Sequence, residues 1–517
     1  MSILSPGLLS DPDGPRASTN YYRPGGNCRP VAAQRRACRR PPGPATRQIF
    51  EKRPPLIATG ARAAQIADAS RYCPLLKRRG QHTIPPSNIR PPPPSVSCEP
   101  VICPLRHLTA LPVPPILIDI SRLLYRRLRR WLPTGIDRVS LEYIRHYADR
   151  ARAVLTLGPF SSVLSIPDSA QAFRMLLDPC GKTQATKLIS KAYLRWWLGA
   201  DAAGCVLFNT SHTGLDNAGY AKGLARKGAQ PVFVVCDLIP ITHPEYCRPG
   251  DRERHVARMR NAVTTARGIV TISRDTLEAL RGFAGEAGLR MPPTVVAALA
   301  PSLPHVEPGP RPIAAPYFVV VGTIEPRKNH ILLLHLWRSL VEQWKRNGRD
   351  SQDSGTTRAR NQRHDGSIPR LVIIGQRGWE CENIVDLLER CESLRGYVLE
   401  RGQCSDAELV TYLRHAQALL FPSFVEGYGL PLAEALSLGT PAIAADLPVF
   451  REVAGEIPEY VDPLDGRRWM ELIEDYADAT SARRAAQIER IKGFQATTWQ
   501  QHFQTVDNFV KIVNGQE

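Results

Sequence analysis

Short apolar runs alternate with amphipathic stretches over residues 113–305 and again over 313–480. The runs ILIDI, CVLFN, PVFVV and GIVTI in the first region, and YFVVV, LVII, YVLE and ALLFPS in the second, are typical of buried parallel strands. Between them, LEYIRHY and ILLLHLW place apolar residues at helical spacing. Because strands that alternate with helices build parallel sheets, the pattern predicts two doubly wound α/β domains.

Composition marks the boundaries of these domains. The Pro-rich segment 301–312 reads as a linker, and a final helix is expected within 481–517, around TTWQQHFQTVDNFVKIV. Polar residues over 343–369 predict an inserted surface loop. The predicted organisation is therefore a tail over 1–112, a first domain over 113–305, a second domain over 313–480 and a C-terminal helix.

The positive charge of the chain is concentrated in the tail. The whole chain has a formal net charge of +18, and residues 1–110 contain 17 Lys and Arg against 5 Asp and Glu. The same segment holds 19 of the 46 prolines and has no apolar periodicity, which predicts disorder. It is either an arm that binds acidic surfaces or a gene start placed too early. Nucleic-acid binding through this tail is a third hypothesis for function, and no specific nucleic acid is expected as a partner.

The cysteines and the apolar runs bear on location. The twelve cysteines include no CxxC pair, the N-terminus has no secretory pattern, and no apolar run reaches 18 residues. We predict a reduced, cytoplasmic chain without a membrane span. Two basic aromatic stretches, at 121–131 and 187–198, favour peripheral contact with an anionic membrane at its inner face. The alternative is a solvated helix with one apolar stripe.

The stretch 421–446, FPSFVEGYGLPLAEALSLGTPAIAAD, combines a loop, a helix and a strand. Gly427 and Gly429 allow a ligand to approach the backbone closely. A helix that begins near Leu430 directs free N–H groups at the loop, which favours a phosphate. Glu426 precedes the loop and Glu434 is expected in the first helical turn, so a sugar nucleotide fits between them. The alternative is a surface glutamate followed by a solvated first-turn glutamate.

Two cations follow the first strand of the second domain. Arg327 and Lys328 stand between YFVVV and the next helix, where fixed positive charge stabilises a departing nucleoside diphosphate. An exposed basic loop is the competing interpretation. Gly375 and Arg377, in GQRGW, end another strand at the predicted cleft. No Asp-x-Asp motif occurs after the tail, so we predict no metal site.

Polar residues also follow the strands of the first domain. Gly135 lies at a point of close approach in a strand-to-helix crossing that the amphipathic helix LEYIRHY follows, and His212, Asp237 and His243 follow buried strands. Because α/β sheets bind ligands at the carboxyl ends of their strands, we predict that these residues contact a ligand-binding cleft. A lone histidine at such a position is more often structural than catalytic.

The motif FxEGxGLPxxEAxxxGxPxIAxD resembles the donor-site signature of retaining GT-B glycosyltransferases of family 4, and the resemblance extends over residues 115–512. It implies two Rossmann-like domains that face each other across a cleft, with the donor on the second, the acceptor on the first, and neither metal nor other cofactor. Glu426 is implied to lie by the donor sugar and Glu434 by the ribose, with Gly427, Tyr428, Gly429 and Leu430 around the donor. The form VGTIEPRKN resembles bacterial mannosyl- and rhamnosyltransferases of surface polysaccharide pathways, which implies GDP-mannose as donor and a glycan or polyprenyl-linked acceptor.

The chain departs from this family at two positions. Thr323 stands where many members have arginine, and Cys236 stands where many have histidine next to the aspartate that is here Asp237. Arg327 is expected to replace the missing arginine, and His212 or His243 the missing histidine. The alternative is reduced activity or a different donor. A second hypothesis for function is a non-catalytic GT-B scaffold whose basic stretches hold partners or membrane.

Overall fold

The computed structural model describes residues 115–131, 133–157, 160–178, 188–192, 202–304, 306–354, 368–402 and 404–515. All of them belong to one compact unit, Cys103–Glu517. The predicted tail over 1–112 lies outside the described residues, as does most of the basic stretch 187–198.

The first domain is built on a sheet of seven strands among the described residues. Its order is β3-β2-β1-β4-β5-β6-β7, and β3 is antiparallel while the other pairs are parallel. The strands are β1 (Ile116–Asp119), β2 (Ala151–Leu157), β3 (Phe160–Val163), β4 (Val206–Asn209), β5 (Gln230–Val235), β6 (Gly268–Thr271) and β7 (Thr294–Val296). The helices between them are α1 (Ser121–Leu128), α2 (Gly135–Tyr147), α3 (Ile166–Leu177), α4 (188–192), α5 (Ala218–Arg226), α6 (Ile239–Thr242), α7 (Asp251–Thr265) and α8 (Arg274–Glu286).

The second domain repeats this plan with six parallel strands in the described part of the chain. Their order is β10-β9-β8-β11-β12-β13. The strands are β8 (Tyr317–Val321), β9 (Arg370–Ile374), β10 (Val398–Arg401), β11 (Leu419–Phe421), β12 (Ala442–Ala445) and β13 (Glu459–Val461). The helices are α9 (His330–Ser354), α10 (Glu382–Arg390), α11 (Asp406–Arg414), α12 (Leu430–Ser437), α13 (Pro448–Ala454), α14 (Gly466–Ala477), α15 (Ala482–Ile491) and α16 (Trp499–Val513).

Both sheets have the doubly wound order in which the chain starts in the middle and then builds outward in each direction. The prediction of two doubly wound α/β domains is confirmed. The order reverses between β1 and β4 in the first sheet and between β8 and β11 in the second. Because such switch points leave a crevice at the carboxyl ends of the strands, each domain offers one ligand-binding edge.

Helix α16 leaves the second domain and packs on the first. Phe503, Val506 and Phe509 are buried in the same apolar cluster as β1 and α2. A Cβ atom on Gly268 of β6 would lie 2.7 Å from the Phe509 ring, so glycine lets the helix approach this closely. The crossing begins later than the predicted boundary at 481, because α15 stays on the second sheet, where the Gln487 amide donates to the Ala442 carbonyl at 2.8 Å.

The predicted surface loop over 343–369 is wrong in its first part. Helix α9 continues to Ser354, well beyond the Ile331–Trp337 segment that the apolar pattern predicts. Leu340 and Val341 are buried and continue the helical spacing. Asn347 and Gly348, residue types common at helix ends, lie within α9, so neither polarity nor a local stop signal marks where this helix ends. Residues 355–367 lie outside the described part of the chain.

Candidate active site

The loop between β11 and α12 is fixed by its glycines. Gly429 has a φ of +101°, and a Cβ atom there would lie 2.8 Å from the Phe450 ring. Glycine is therefore required by both conformation and space. Helix α12 begins at Leu430 as predicted, but Glu434 is its fifth residue and lies in the second turn. The first-turn expectation is wrong, because Pro431 occupies the second helical position and the helix starts one residue before it.

Glu426 is buried and carries two cations. Its Oε2 lies 2.8 Å from Arg327 Nη1, and its Oε1 pairs with Lys328 Nζ. The Ser423 hydroxyl donates to Oε1 at 2.8 Å. Burial alone raises the pKa of Glu426, but the two cations outweigh it and hold the pKa at about 2. The carboxylate is therefore ionised at neutral pH.

The two cations come from the turn that follows β8. Pro326–Lys328 forms one turn of 3₁₀-helix, and Asn329 then adopts a φ of +54° before α9. Arg327 Nε pairs with Glu325 at 2.7 Å, and its Nη1 donates to the Val425 carbonyl at 3.2 Å. Burial lowers the pKa of Lys328, and Glu426 opposes this effect. The result is a rigid cluster of two cations and two carboxylates whose charges cancel.

Glu434 has a different environment. It is buried, and the nearest cation is Arg138 of α2, whose Nη1 lies 3.8 Å from Glu434 Oε1. Burial raises the pKa of Glu434 to about 7, and Arg138 and the Ser302 backbone N–H lower it only in part. Two glutamates eight residues apart therefore have pKa values on opposite sides of their usual range, which is a common property of functional sites.

The loop from Glu426 to Leu430 touches the first domain directly. A Cβ atom on Gly427 would lie 2.3 Å from the Cys236 carbonyl oxygen, and the Ser273 hydroxyl donates to the Gly427 carbonyl at 2.9 Å. The buried Tyr428 donates from its hydroxyl to the Leu299 carbonyl at 2.5 Å. The carboxyl ends of the two sheets thus meet at this loop.

Gly135 and Asp237 of the first domain both lie against the loop between β11 and α12. A Cβ atom on Gly135 would lie 3.6 Å from Leu430 Cδ1, so the start of α2 faces the start of α12. The Asp237 Cβ atom is 3.0 Å from the Cβ position of Gly427, and its Oδ1 accepts from the Ile239 N–H at 3.2 Å. Both residues therefore line the contact between the domains.

The two histidines have different surroundings. His212 is buried with a φ of +57°, and its Nε2 accepts from the Cys236 N–H at 3.3 Å. Burial, reinforced by His255, lowers its pKa to about 3, so it is a neutral support of the β5 strand end. His243 is half-buried and begins a row of parallel rings. Its ring lies 6.2 Å from that of Tyr246, which stacks on Phe424 of the second domain at 5.2 Å.

Gly375 and Arg377, predicted together at the cleft, have different contacts in the structure. A Cβ atom on Gly375 would lie 1.9 Å from the Gly322 carbonyl oxygen, so this glycine lets the ends of β8 and β9 meet. The Arg377 side chain pairs with Glu400 at 2.8 Å and with Glu389 at 2.6 Å. These local carboxylates hold its guanidinium, and none of its ion pairs among the described residues joins it to Glu426 or Glu434.

Four residues that contact the site are not predicted from the sequence. Glu325 and Ser423 lie within the motifs and hold Arg327 and Glu426, but their types are common in turns. Arg138 and Asp406 meet across the domains, with Nη2 and Oδ1 2.5 Å apart. The signal for Arg138 is its place three residues after Gly135 in TGIDRV.

A groove on the second domain is separate from this cluster. An open groove of about 730 Å³ between α9 and α10 includes none of these residues. Over the residues that the structure describes, no three His, Cys, Asp or Glu side chains are grouped as metal ligands. Within the same residues, every helix is too short or too polar to span a bilayer.

The sequence matches one family model, within the second domain, and several mannosyltransferases over up to half of the chain. Residues 309–458 match the family model described as glycosyl transferases group 1. The serotype-specific mannosyltransferase WbdA of Escherichia coli is 27% identical over 277 residues, which are 49% of this chain and 31% of the relative. The O-antigen chain mannosyltransferase B of E. coli is 28% identical over 51% of this chain and 66% of its own. The O-antigen chain mannosyltransferase RfbU of Salmonella typhimurium is 41% identical over 31% of this chain and 38% of its own.

Solved structures match the fold over both domains. A sucrose-phosphate synthase from Thermosynechococcus elongatus has a TM-score of 0.52 at 14% identity, over 78% of this chain and 100% of its own. A trehalose 6-phosphate synthase from Burkholderia multivorans has a TM-score of 0.50 at 10% identity, over 78% and 99%. The chain spans about a third of the length of WbdA, the first of the curated relatives. Residues 309–458 therefore match a glycosyl transferases group 1 domain, the fold of the chain is similar to that of two-domain glycosyltransferases of known structure, and its sequence resembles bacterial O-antigen mannosyltransferases.

Proposed function

We propose that the protein is a retaining, metal-independent glycosyltransferase. It moves a hexose, with mannose as first choice, from a nucleoside-diphosphate sugar to a polysaccharide or lipid-linked oligosaccharide acceptor. The observation that carries this proposal is the buried cluster of Glu426, Arg327 and Lys328 at the switch point of the second sheet. Three mannosyltransferase relatives support the choice of sugar and acceptor class.

The cluster supplies the chemistry that this reaction needs. Breaking the bond between sugar and diphosphate leaves negative charge on the diphosphate, and two fixed cations stabilise that charge in the transition state. The first N–H groups of α12, beside Gly429 and Leu430, add further donors to the phosphates. The same cations perform the neutralisation that a divalent metal provides in other enzymes.

The remaining predicted residues divide between donor and acceptor. In this proposal Glu426 lies by the donor sugar and Glu434 accepts hydrogen bonds from the ribose hydroxyls. Asp237 and His243 stand on the first-domain side, where the acceptor enters. Contact with an anionic membrane, through α1, brings the enzyme to a lipid-linked acceptor. The competing hypothesis is a non-catalytic GT-B scaffold.

Thermal unfolding in the presence of nucleotides separates the two hypotheses. The protein is heated with GDP, UDP, dTDP or ADP, each with and without EDTA. A ligand at 100 times its dissociation constant stabilises the folded state by about 2.7 kcal/mol, which gives a clear increase in Tm. We expect one nucleotide to raise the Tm, with no effect of EDTA.

Two variants make the result specific to the site. Glu434→Ala should abolish the increase in Tm, whereas Glu471→Ala, on an exposed face of α14, should leave it intact. If no nucleotide stabilises the wild-type protein, the scaffold hypothesis replaces the enzyme. If EDTA removes the stabilisation, the metal-independent part of the proposal is wrong.

A further inference from the structure

Arg138 connects the first domain to the donor side of the cleft. It is the fourth residue of α2, and its guanidinium lies between two carboxylates of the second domain. Nη1 is 3.8 Å from Glu434 Oε1, and Nη2 is 2.5 Å from Asp406 Oδ1. We propose that Arg138 is a positioning residue of the donor site. Its guanidinium favours the ionised, hydrogen-bond-accepting form of Glu434, and Asp406, which binds the same guanidinium, opposes this effect.

The inference rests on the proposed function, because it assigns a purpose to Glu434 as the acceptor of sugar hydroxyl groups. An ionised carboxylate accepts hydrogen bonds on both oxygens, whereas a protonated one has to donate a hydrogen bond of its own. Two hydroxyl donors on neighbouring carbons therefore bind the ionised form better. The residue that sets the charge of Glu434 then sets the affinity for the donor.

The burial of Glu434 and Arg138 makes their electrostatic interaction strong. Glu434 is only 6% exposed and Arg138 is 25% exposed, so water screens their interaction weakly. Asp406 is 47% exposed and begins α11, whose N-cap is Ser405. Burial raises the pKa of Glu434 to about 7, Arg138 lowers it, and Asp406 raises it. Among the described groups, these are the two charges that act on Glu434.

Loss of Arg138 and loss of Asp406 should therefore shift the pKa of Glu434 in opposite directions. Removing the charge of Arg138 leaves burial and Asp406 unopposed, which raises the pKa of Glu434. Removing the charge of Asp406 takes away a repulsive carboxylate and frees Arg138, which lowers that pKa. An ion pair that merely joins the domains predicts the same effect for both changes, because each of them breaks the Arg138–Asp406 contact.

The test is the affinity for GDP-mannose as a function of pH, measured by calorimetry from pH 6.0 to 8.5. The diphosphate of a nucleotide sugar is esterified at both ends, so each phosphorus lacks the second ionisation near pH 6 of a terminal phosphate and does not titrate in this range. For the wild-type protein we expect affinity to rise with pH around a midpoint of about 7, as Glu434 ionises.

Arg138→Ala should move the midpoint upward by about one pH unit, the lower end of the effect of an adjacent opposite charge, and should weaken binding several-fold at pH 7. Asp406→Asn should move the midpoint downward. Arg138→Lys, which keeps the charge, should restore most of the wild-type profile. Arg145→Ala, on the exposed side of the same helix, is the matched control and should leave the profile unchanged.

Shifts in the same direction for Arg138→Ala and Asp406→Asn, or no shift in either, overturn the inference while leaving the proposed function in place. Two stable variants on separate elements, Arg138→Lys and Asp406→Asn, keep the test valid if Arg138→Ala fails to fold. A wild-type protein that binds no nucleotide sugar overturns the proposed function and this inference with it.

Discussion

At the scale of single residues, the sharing of one carboxylate by two cations is the central feature. Glu426 pairs with both Arg327 and Lys328, and Glu325 restrains Arg327 from its other side. Each cation is held in place before a ligand arrives, so little reorganisation accompanies charge development at a bound diphosphate. In the proposed reaction, this arrangement preorganises the site for the leaving group.

Lys328→Ala should lower turnover by on the order of 10²-fold, the usual effect of removing one charge-stabilising donor. Nucleotide affinity should change less, because Arg327 and the start of α12 remain. Transfer from GDP-mannose and calorimetric binding of GDP measure the two effects separately. Lys492→Ala, at an exposed pair with Glu489, is the control. Turnover near the wild-type value in Lys328→Ala would contradict the leaving-group role.

At the scale of elements, α1 and the turn that follows it to Trp131 present an unusual surface. Tyr125 and Trp131 are each 50% exposed, and their rings pack edge to face at 5.9 Å. Arg126 lies over the Trp131 ring at 5.4 Å, and Arg129 lies over the Tyr125 ring at 5.5 Å. Exposed aromatic rings among arginines suit the interface of an anionic bilayer.

We expect the protein to sediment with vesicles that contain phosphatidylglycerol and not with vesicles of phosphatidylcholine alone. The double change Tyr125→Ser and Trp131→Ser should weaken this binding several-fold, and high salt should weaken it further. Leu464→Ser removes an apolar side chain that is 78% exposed on the second domain and serves as the control. Equal binding of all variants would assign no membrane role to α1.

Local sequence patterns predict strands and helices well, but they predict poorly which side chains pair at the ends of these elements. The eight strands expected from apolar runs and the strand expected within 421–446 (β12) all exist, whereas β2, β3, β7 and β13 are not predicted. The cluster of Glu426, Arg327 and Lys328 follows from strand ends alone. The partners of Arg377 and Arg138 do not, because they depend on which charged side chains the finished fold brings near. Arg138 and Asp406 are far apart in the chain and meet only when the domains dock.

At the scale of the whole molecule, the contact between the two domains depends on Gly427, which packs against the Cys236 carbonyl. Gly427→Ala would place a methyl group 2.3 Å from the Cys236 carbonyl oxygen, so the domains have to move apart. We expect turnover to fall by on the order of 10²-fold, since a displacement of about 1 Å costs this much in aligned reactions. The Tm should also fall, because Tyr428, next to Gly427, is buried in the core of the first domain and is displaced with the loop.

Activity and Tm of Gly427→Ala are compared with those of Gly282→Ala, a helix position with open space around it. The control should be fully active and slightly more stable, because alanine favours a helix over glycine. An active Gly427→Ala variant would show that the contact between the domains at this loop is dispensable.

The position of α16 has a consequence for the order in which the protein is made. Phe503, Val506 and Phe509 are part of the core of the first domain, although they follow the whole second domain in the chain. On the ribosome, the strands of the first domain therefore appear early but lack one wall of their core until Val513 has emerged. We expect the second domain to complete its fold first, and the first domain to wait, with an apolar surface in need of protection, for the last helix.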